Sequence, residues 1–156
     1  MSLEAGDLMG AQNNRNRKMQ DLIGNEHLGR FQEKTMCFMY DFDALGGAAS
    51  ALTLTDAAGN AQQLPDNALI TSATWDVTTA LASGGSATVA LGWTGTAGGI
   101  KAATAFDNAA YVAATQVSGL VVNGKMSAAS SVLLTIATAP LTAGKMYLYI
   151  TYVEGF

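Results

Sequence analysis

The sequence contains one cysteine and one histidine among its 156 residues. Cys37 therefore has no partner for an intrachain disulfide, and a single imidazole, His27, excludes a histidine-rich metal site. Charged residues make up 13% of the chain, against about 25% in a typical soluble domain. The net charge of −4 argues against a broad electrostatic interaction with nucleic acid.

Long hydrophobic runs are also missing. No segment approaches the roughly 18 apolar residues of a membrane helix, so we expect no membrane partner. Residues 1–10 carry Glu4 and Asp7 and no apolar run, which does not fit a secretory signal. A mass of 16.1 kDa is enough for one domain with a real core. Hydrophobic residues, many of them alanine, make up 49% of the chain, which also contains 17 glycines. This composition favours assembly over catalysis.

The charges are concentrated at the N-terminus. Residues 1–43 hold 7 acids and 5 bases, 12 charges in all, whereas the other 113 residues hold only 8. We place a boundary near Lys34 or Thr35, which predicts an N-terminal arm over residues 1–34 and a β-domain over residues 35–156.

The arm cannot bury enough apolar surface by itself to offset its ordering entropy. It is either a solvated tail or an arm that orders against a partner. Met19, Leu22 and Ile23 have helical spacing, and Arg15, Arg17 and Lys18 form the one basic cluster. We interpret this cluster as a protein contact in preference to a nucleic-acid contact. The predicted partner contacts of the arm are Leu8, Met9, Arg15, Arg17, Lys18, Met19, Leu22, Ile23 and Phe31.

Residues 35–156 read as short strands separated by turns, at the spacing typical of an antiparallel sandwich. A long strand is predicted over residues 68–79, with an inward face formed by Leu69, Thr71, Ala73, Trp75 and Val77. The next strand is predicted to point Ala87, Val89, Leu91 and Trp93 inward. Residues 94–101 read as a glycine-rich loop, and residues 104–114 as a short helix or an irregular segment.

The C-terminal third continues this pattern. We predict a strand over residues 116–122, a type I′ turn at Asn123-Gly124, a strand over residues 131–138 and a turn over residues 140–144. The last strand, residues 145–153, alternates clearly. Its predicted inner set is Met146, Leu148, Ile150 and Tyr152.

The other face of that last strand is also apolar or aromatic and needs a cover. A second sheet, the arm or a neighbouring subunit would supply one. We favour a subunit because few charged residues are available to solvate a monomer. Tyr147, Tyr149 and Val153 are the predicted subunit-interface residues.

Candidates for chemistry are sparse. His27 has only the adjacent Glu26 as a partner, and adjacency fixes no catalytic geometry. Cys37 reads as a buried core thiol, and Asp41 with Asp43 as a solvated pair on one strand face. The glycine-rich segment 92–101 lacks the phosphate-loop motifs. We therefore predict no enzyme, no cofactor and no metal.

Three stretches carry a resemblance to a known family: residues 64–81, residues 87–92 and residues 141–153. The first is a proline, a small loop and a long strand. The last is Leu-Thr-Ala-Gly-Lys followed by an aliphatic and aromatic strand. This part of the chain resembles the decoration, or cement, proteins and head spikes of tailed phages.

The resemblance implies a jelly-roll-like sandwich that forms a homotrimer. It also implies that the trimer binds to the capsid lattice, with the major capsid protein as its partner. It transfers no catalytic residue. The expected location is the virion surface, with assembly in the host cytoplasm. The alternative is a head spike or fibre that binds host-surface carbohydrate or a receptor, and exposure of Trp93 or Tyr111 would favour it.

Overall fold

The computed structural model describes residues 32–112, 116–119 and 124–154. Within them, β-strands dominate and the one α-helical element, α1, is the single turn Phe42–Leu45. No helix in this part of the chain is long and apolar enough to span a membrane. The strands are β1 Lys34–Asp41, β2 Ala51–Thr53, β3 Gln63–Leu64, β4 Ala68–Ser83, β5 Thr88–Trp93, β6 Thr96–Ala105, β7 Gln116–Gly119, β8 Ser130–Ala137 and β9 Leu141–Glu154.

The strands form two antiparallel sheets. One has the order β1-β9-β4-β7, and the other has the order β2-β8-β5-β6, with the short β3 paired to β8. Apart from β3, the chain places four strands in each sheet and crosses repeatedly between them, which is a jelly-roll-like arrangement. The predicted all-β antiparallel sandwich is confirmed.

The core lies between the two sheets. Val132, Leu134 and Ile136 of β8 face Met146, Leu148 and Ile150 of β9, and all six are 2% exposed or less. The inward-pointing residues predicted for the next strand are also buried, namely Ala87, Val89, Leu91 and Trp93. The other tryptophan, Trp75, is buried as well. Trp75 is fully buried and donates its indole Nε1–H to the carbonyl of Ala110 at 2.8 Å.

A 3₁₀ turn, Ala109–Tyr111, closes over Trp75. The rings of Trp75 and Tyr111 stack with centroids 6.5 Å apart, and the Tyr111 hydroxyl donates to the carbonyl of Val89 at 3.2 Å. Burial raises the pKa of Tyr111 to about 12. For residues 104–114 the sequence allowed a short helix or an irregular segment. The structure places a 3₁₀ turn there, which anchors the Tyr111 ring in the core.

Two predictions for β4 differ from the structure. The strand runs to Ser83, and its face changes near its start. Ala68 and Ile70 point inward before Thr71, and Ala73, Trp75 and Val77 point inward after it. The reason is a β-bulge: Ile70 pairs with Tyr152, but Ser72 pairs with Thr151. One extra residue exchanges the two faces, so the prediction that Leu69 points inward is wrong.

The predicted loop over residues 94–101 is also wrong, because β6 begins at Thr96 and pairs with β5. The glycines there serve close packing. An added Cβ on Gly99 would lie 2.4 Å from the Trp93 ring, and one on Gly92 would lie 2.1 Å from the Thr96 carbonyl oxygen. Of the four glycines in residues 92–99, Gly95 at the hairpin tip is the one with a positive φ, of 89°.

The C-terminal turns also differ. Strand β9 starts at Leu141, inside the predicted turn over residues 140–144. Asn123 lies outside the described residues. Its neighbour Gly124 lies along β4, since its carbonyl accepts from Ile70 N–H at 2.9 Å. Residues 124–126 thus follow the same edge of β4 as β7 does.

Candidate subunit interface

The outer face of the sheet containing β1, β9 and β4 is the surface on which the predicted interface residues lie. The register aligns residues across the three strands: Tyr149 of β9 has Cys37 on one side and Thr74 on the other. In the next row, Tyr147 lies between Met39 and Asp76. Because strand side chains alternate between faces, these residues point away from the core.

Tyr147, Tyr149 and Val153 therefore lie on one face, as the alternation predicts. Tyr149 is 40% exposed, and Tyr147 and Val153 are half-buried. Their role as an interface remains a prediction. Leu69, which the sequence pattern assigned to the core, belongs to the same face. It is the direct partner of Val153 in the β4–β9 register and is 43% exposed.

Two ion pairs link β1 and β9, one near each end of the paired strands. Lys145 Nζ lies 2.8 Å from Asp41 Oδ2 at one end, and Lys34 Nζ lies 2.7 Å from Glu154 Oε1 at the other. The hydrogen bond from Lys145 lowers the pKa of Asp41, and the same bond raises the pKa of Lys145. The hydrogen bond to Glu154 likewise raises the pKa of Lys34. The outer face also carries Asp76 beside Tyr147 and Lys125 beside Leu69.

Cys37 is half-buried on this outer face, so the prediction of a core thiol is wrong. Burial raises the pKa of the Cys37 thiol, and the neighbouring Cys37 raises the pKa of Tyr149. Both groups are therefore neutral near pH 7, and a raised thiol pKa does not favour a nucleophile. The side-chain amide of Gln62 donates to the Cys37 carbonyl, and Met39 pairs with Thr55. These contacts cover the outer edge of β1.

The sequence predicts that Asp41 and Asp43 share one face of a strand. In the structure, β1 ends at Asp41, and Asp43 lies in the helical turn α1. Asp41 caps the short turn α1, and its Oδ1 accepts from the Asp43 N–H at 3.1 Å. Its other oxygen binds Lys145. No group of three or more His, Cys, Asp or Glu side chains that could hold a metal occurs within the described ranges.

One open groove of about 460 Å³ lies where the β5–β6 hairpin meets residues 125–130, lined by Trp93, Thr94, Gly95, Thr96, Lys125, Met126, Ser127 and Ser130. These lining residues include no carboxylate, imidazole or thiol. Trp93 is only 7% exposed, and Tyr111 is fully buried. The two aromatic residues whose exposure would favour a carbohydrate site are therefore core residues.

Residues 1–31 of the predicted arm lie outside the described residues. This holds for His27 and for every predicted capsid-contact residue, namely Leu8, Met9, Arg15, Arg17, Lys18, Met19, Leu22, Ile23 and Phe31. Their predicted roles stay predictions. Strand β1 begins at Lys34, next to the proposed boundary.

No protein-family model matches the chain, and no curated protein matches it. Two solved structures are similar in fold. A chain of "Cyanophage Pam1 capsid asymmetric unit" has a TM-score of 0.55 and 18% identity, over 80% of this chain and 86% of its own length. A chain of "Acidic stable capsid structure of Helicobacter pylori bacteriophage KHP30" has a TM-score of 0.54 and 13% identity, over 78% of this chain and 86% of its own length. At these identities the similarity is one of fold.

Proposed function

We propose that this protein is a virion structural protein, a decoration protein that trimerises and stabilises a phage head by bridging major capsid subunits. The observation that carries the proposal is the jelly-roll-like sandwich, which matches chains of two phage capsid structures over about four-fifths of the present chain. The tailed-phage resemblance of residues 64–153 supports it independently, because it rests on sequence features.

The chemistry of the surface supports a binding role over a catalytic one. The thiol of Cys37 lies beside Tyr149 and not beside a base. The carboxylate of Asp41 is occupied by Lys145 and by a backbone N–H. The outer face of β1, β9 and β4 presents Tyr147 and Tyr149 together with hydroxyl and aliphatic side chains, and tyrosine is enriched in interfaces.

In this proposal the sandwich holds the trimer together, and residues 1–34 contact the major capsid protein. A 34-residue segment in extended conformation reaches about 110 Å, enough to cross neighbouring subunits. An arm that binds only the assembled lattice stabilises that lattice by mass action. Three arms on one trimer add avidity. The protein would then be located on the virion surface after assembly in the host cytoplasm.

The test compares the full chain with a variant that lacks residues 1–34, in binding to heads that lack this protein. We expect the full chain to sediment with the heads and to raise the temperature at which they release DNA. We expect the shortened variant to keep its β-sheet circular dichroism and its oligomeric state but to lose binding.

A shortened variant that still occupies heads fully would overturn the role of the arm. A full chain that never binds heads would overturn the decoration function itself. Specific binding of the full chain to host-surface glycans, without binding to heads, would favour the spike alternative.

A further inference from the structure

The sandwich has two ends, and the N-terminal arm is attached at one of them. Strand β1 begins at Lys34, opposite Tyr152 of β9. Strand β9 ends at Glu154, opposite Ala68 at the start of β4. These residues lie at one end of their sheet, which we call the arm end. Because β1 runs away from this end, residues 1–33 join the sandwich there.

The second sheet contributes the β5–β6 hairpin to the arm end. Leu64 pairs with Ser130 at the start of β8, and a short connection leads from Leu64 to Ala68 at the start of β4. Thr94, at the tip of the hairpin, donates its N–H to the Ser131 carbonyl at 3.0 Å. The groove of about 460 Å³ beside the hairpin tip therefore lies at the arm end.

The opposite end of the sandwich holds a different set of loops. Strand β4 ends at Ser83, opposite Leu141 at the start of β9. The exposed Ser86 lies in the loop that follows, and the exposed Asp107 comes after β6, whose last residue pairs with the start of β5. Strand β9 spans 14 residues, so the two ends are about 45 Å apart at the usual rise per residue.

The point of attachment determines how much of the arm is available for capsid contacts. An arm attached at the end away from the lattice would use about 13 residues, fully extended, to run the length of the sandwich. Ordering those residues would also cost conformational entropy. An arm attached at the lattice side keeps its whole length for bridging. Bridging by the arm therefore favours a sandwich whose arm end faces the capsid.

The surface of the arm end is concave and polar. Residues with hydroxyl groups, Thr94, Thr96 and Ser127, line the groove together with Lys125. The exposed Asp66 lies in the turn before β4. Polar groups of this kind hydrogen-bond to the polar surface of another protein, and the open groove has room for a protruding loop.

We propose that the arm end of the sandwich faces the major capsid protein and that its groove receives a polar loop of that protein. The opposite end, with Ser86 and Asp107, then points away from the capsid. This inference rests on the proposed function, since it states which surface of the decoration protein meets the head. It adds a contact formed by the folded sandwich to the contacts predicted for the arm.

The experiment attaches a polyethylene glycol chain, as large as the protein, to single cysteines of the full chain and measures binding to heads that lack this protein. All variants carry Cys37→Ser, because Cys37 is the one native thiol. Two matched pairs of exposed residues compare the ends: Ser127→Cys with Ser86→Cys, and Asp66→Cys with Asp107→Cys. We expect the conjugates at positions 127 and 66 to lose binding through steric exclusion. Those at positions 86 and 107 should bind like the unlabelled chain.

A second measurement reverses the order of addition, so that the label cannot disturb folding or assembly before binding. Each unlabelled cysteine variant is bound to heads and then treated with a small maleimide. We expect the thiols at positions 86 and 107 to react as in the free protein, and those at positions 127 and 66 to be protected. Circular dichroism and sedimentation velocity check that every variant is folded and keeps the oligomeric state of the parent chain.

The outcomes separate this inference from the proposed function. Conjugates at positions 127 and 66 that bind heads, or thiols there that stay reactive on heads, mean that the decoration function stands and the orientation is wrong. Protection at positions 86 and 107 instead would mean that the sandwich is inverted. An unlabelled chain that never binds heads overturns the proposed function, and this inference with it.

Discussion

Thr71 donates its hydroxyl to the carbonyl oxygen of Thr151 at 3.2 Å, at the point where strand β4 gains one residue relative to β9. A second bulge repeats the arrangement. Val77 pairs with Met146 and Thr79 with Lys145, and the hydroxyl of the intervening Thr78 donates to the Lys145 carbonyl at 3.2 Å. At these two bulges, a threonine hydroxyl thus donates the hydrogen bond to β9 that the interrupted backbone ladder lacks.

Replacing either bulge threonine with valine should lower stability while preserving shape. We expect Thr71→Val and Thr78→Val each to reduce the free energy of unfolding by about 0.5–1.5 kcal/mol, the usual net value of one hydrogen bond. Thr74→Val, on the same face in regular register, should change it by less than about 0.5 kcal/mol. Denaturant unfolding at one fixed protein concentration measures all three. Equal effects at positions 71, 74 and 78 would contradict the role assigned to the hydroxyls.

The pairing of Trp75 with the 3₁₀ turn should make the largest single contribution to stability among these predictions. Trp75→Phe leaves a void and removes the partner of the Ala110 carbonyl, so we expect a loss of about 2–4 kcal/mol. Tyr111→Phe keeps the stacked ring and removes only the hydroxyl, so we expect a loss of about 1 kcal/mol. Denaturant unfolding followed by circular dichroism measures both losses. A larger loss for Tyr111→Phe than for Trp75→Phe would show that the hydroxyl, and not the indole, fixes the turn.

Close packing at the β5–β6 hairpin distinguishes two adjacent glycines. A Cβ at position 99 would lie 2.4 Å from the Trp93 ring, whereas one at position 98 would be 3.4 Å from its nearest neighbour. We expect Gly99→Ala to cost about 1–3 kcal/mol through overpacking, and Gly98→Ala less than about 0.5 kcal/mol. Thermal unfolding, followed by circular dichroism and by tryptophan fluorescence, measures both effects. Identical unfolding curves for the two variants would contradict the packing argument.

The ion pair of Asp41 and Lys145 predicts a specific dependence of stability on pH. The pKa of Asp41 is lowered in the folded state, so below about pH 4, the ordinary aspartate value, the unfolded chain binds more protons. The free energy of unfolding should therefore fall as the pH decreases through the folded pKa. The pKa of Lys145 is raised, so its contribution is complete below about pH 10 and is lost as the pH rises through the folded value.

The corresponding variant is Asp41→Asn, which should show a shallower loss of stability between about pH 4 and pH 2 than the wild type. Asp107→Asn, at an exposed position, is the control and should keep the wild-type slope. Urea unfolding at several pH values measures these slopes. An Asp41→Asn slope equal to that of the wild type would mean that the ion pair does not stabilise the folded state over water.

Alternation along single strands could be predicted from the sequence with good accuracy. Leu148 and Tyr149 on β9, and Leu91 on β5, lie on the predicted faces, because a strand with one buried side must alternate. The strand spacing also predicted an antiparallel sandwich, since so many short strands bury their apolar faces best in two packed sheets. The candidate interface residues on β9 followed from the same alternation.

Features that depend on a second strand, or on an aromatic ring distant in the sequence, could be identified only in the tertiary structure. Leu69 is outside because β4 holds one more residue than β9 at Thr71, and a bulge is a property of the pair. Position 99 of β6 accepts only glycine because the Trp93 ring occupies the space of a side chain there. Asp41 is bound by Lys145, 104 residues away. The sequence by itself determined which strands can form and which of their faces are apolar, because those follow from local alternation. The register, the bulges and the aromatic contacts were decided only when the two sheets packed.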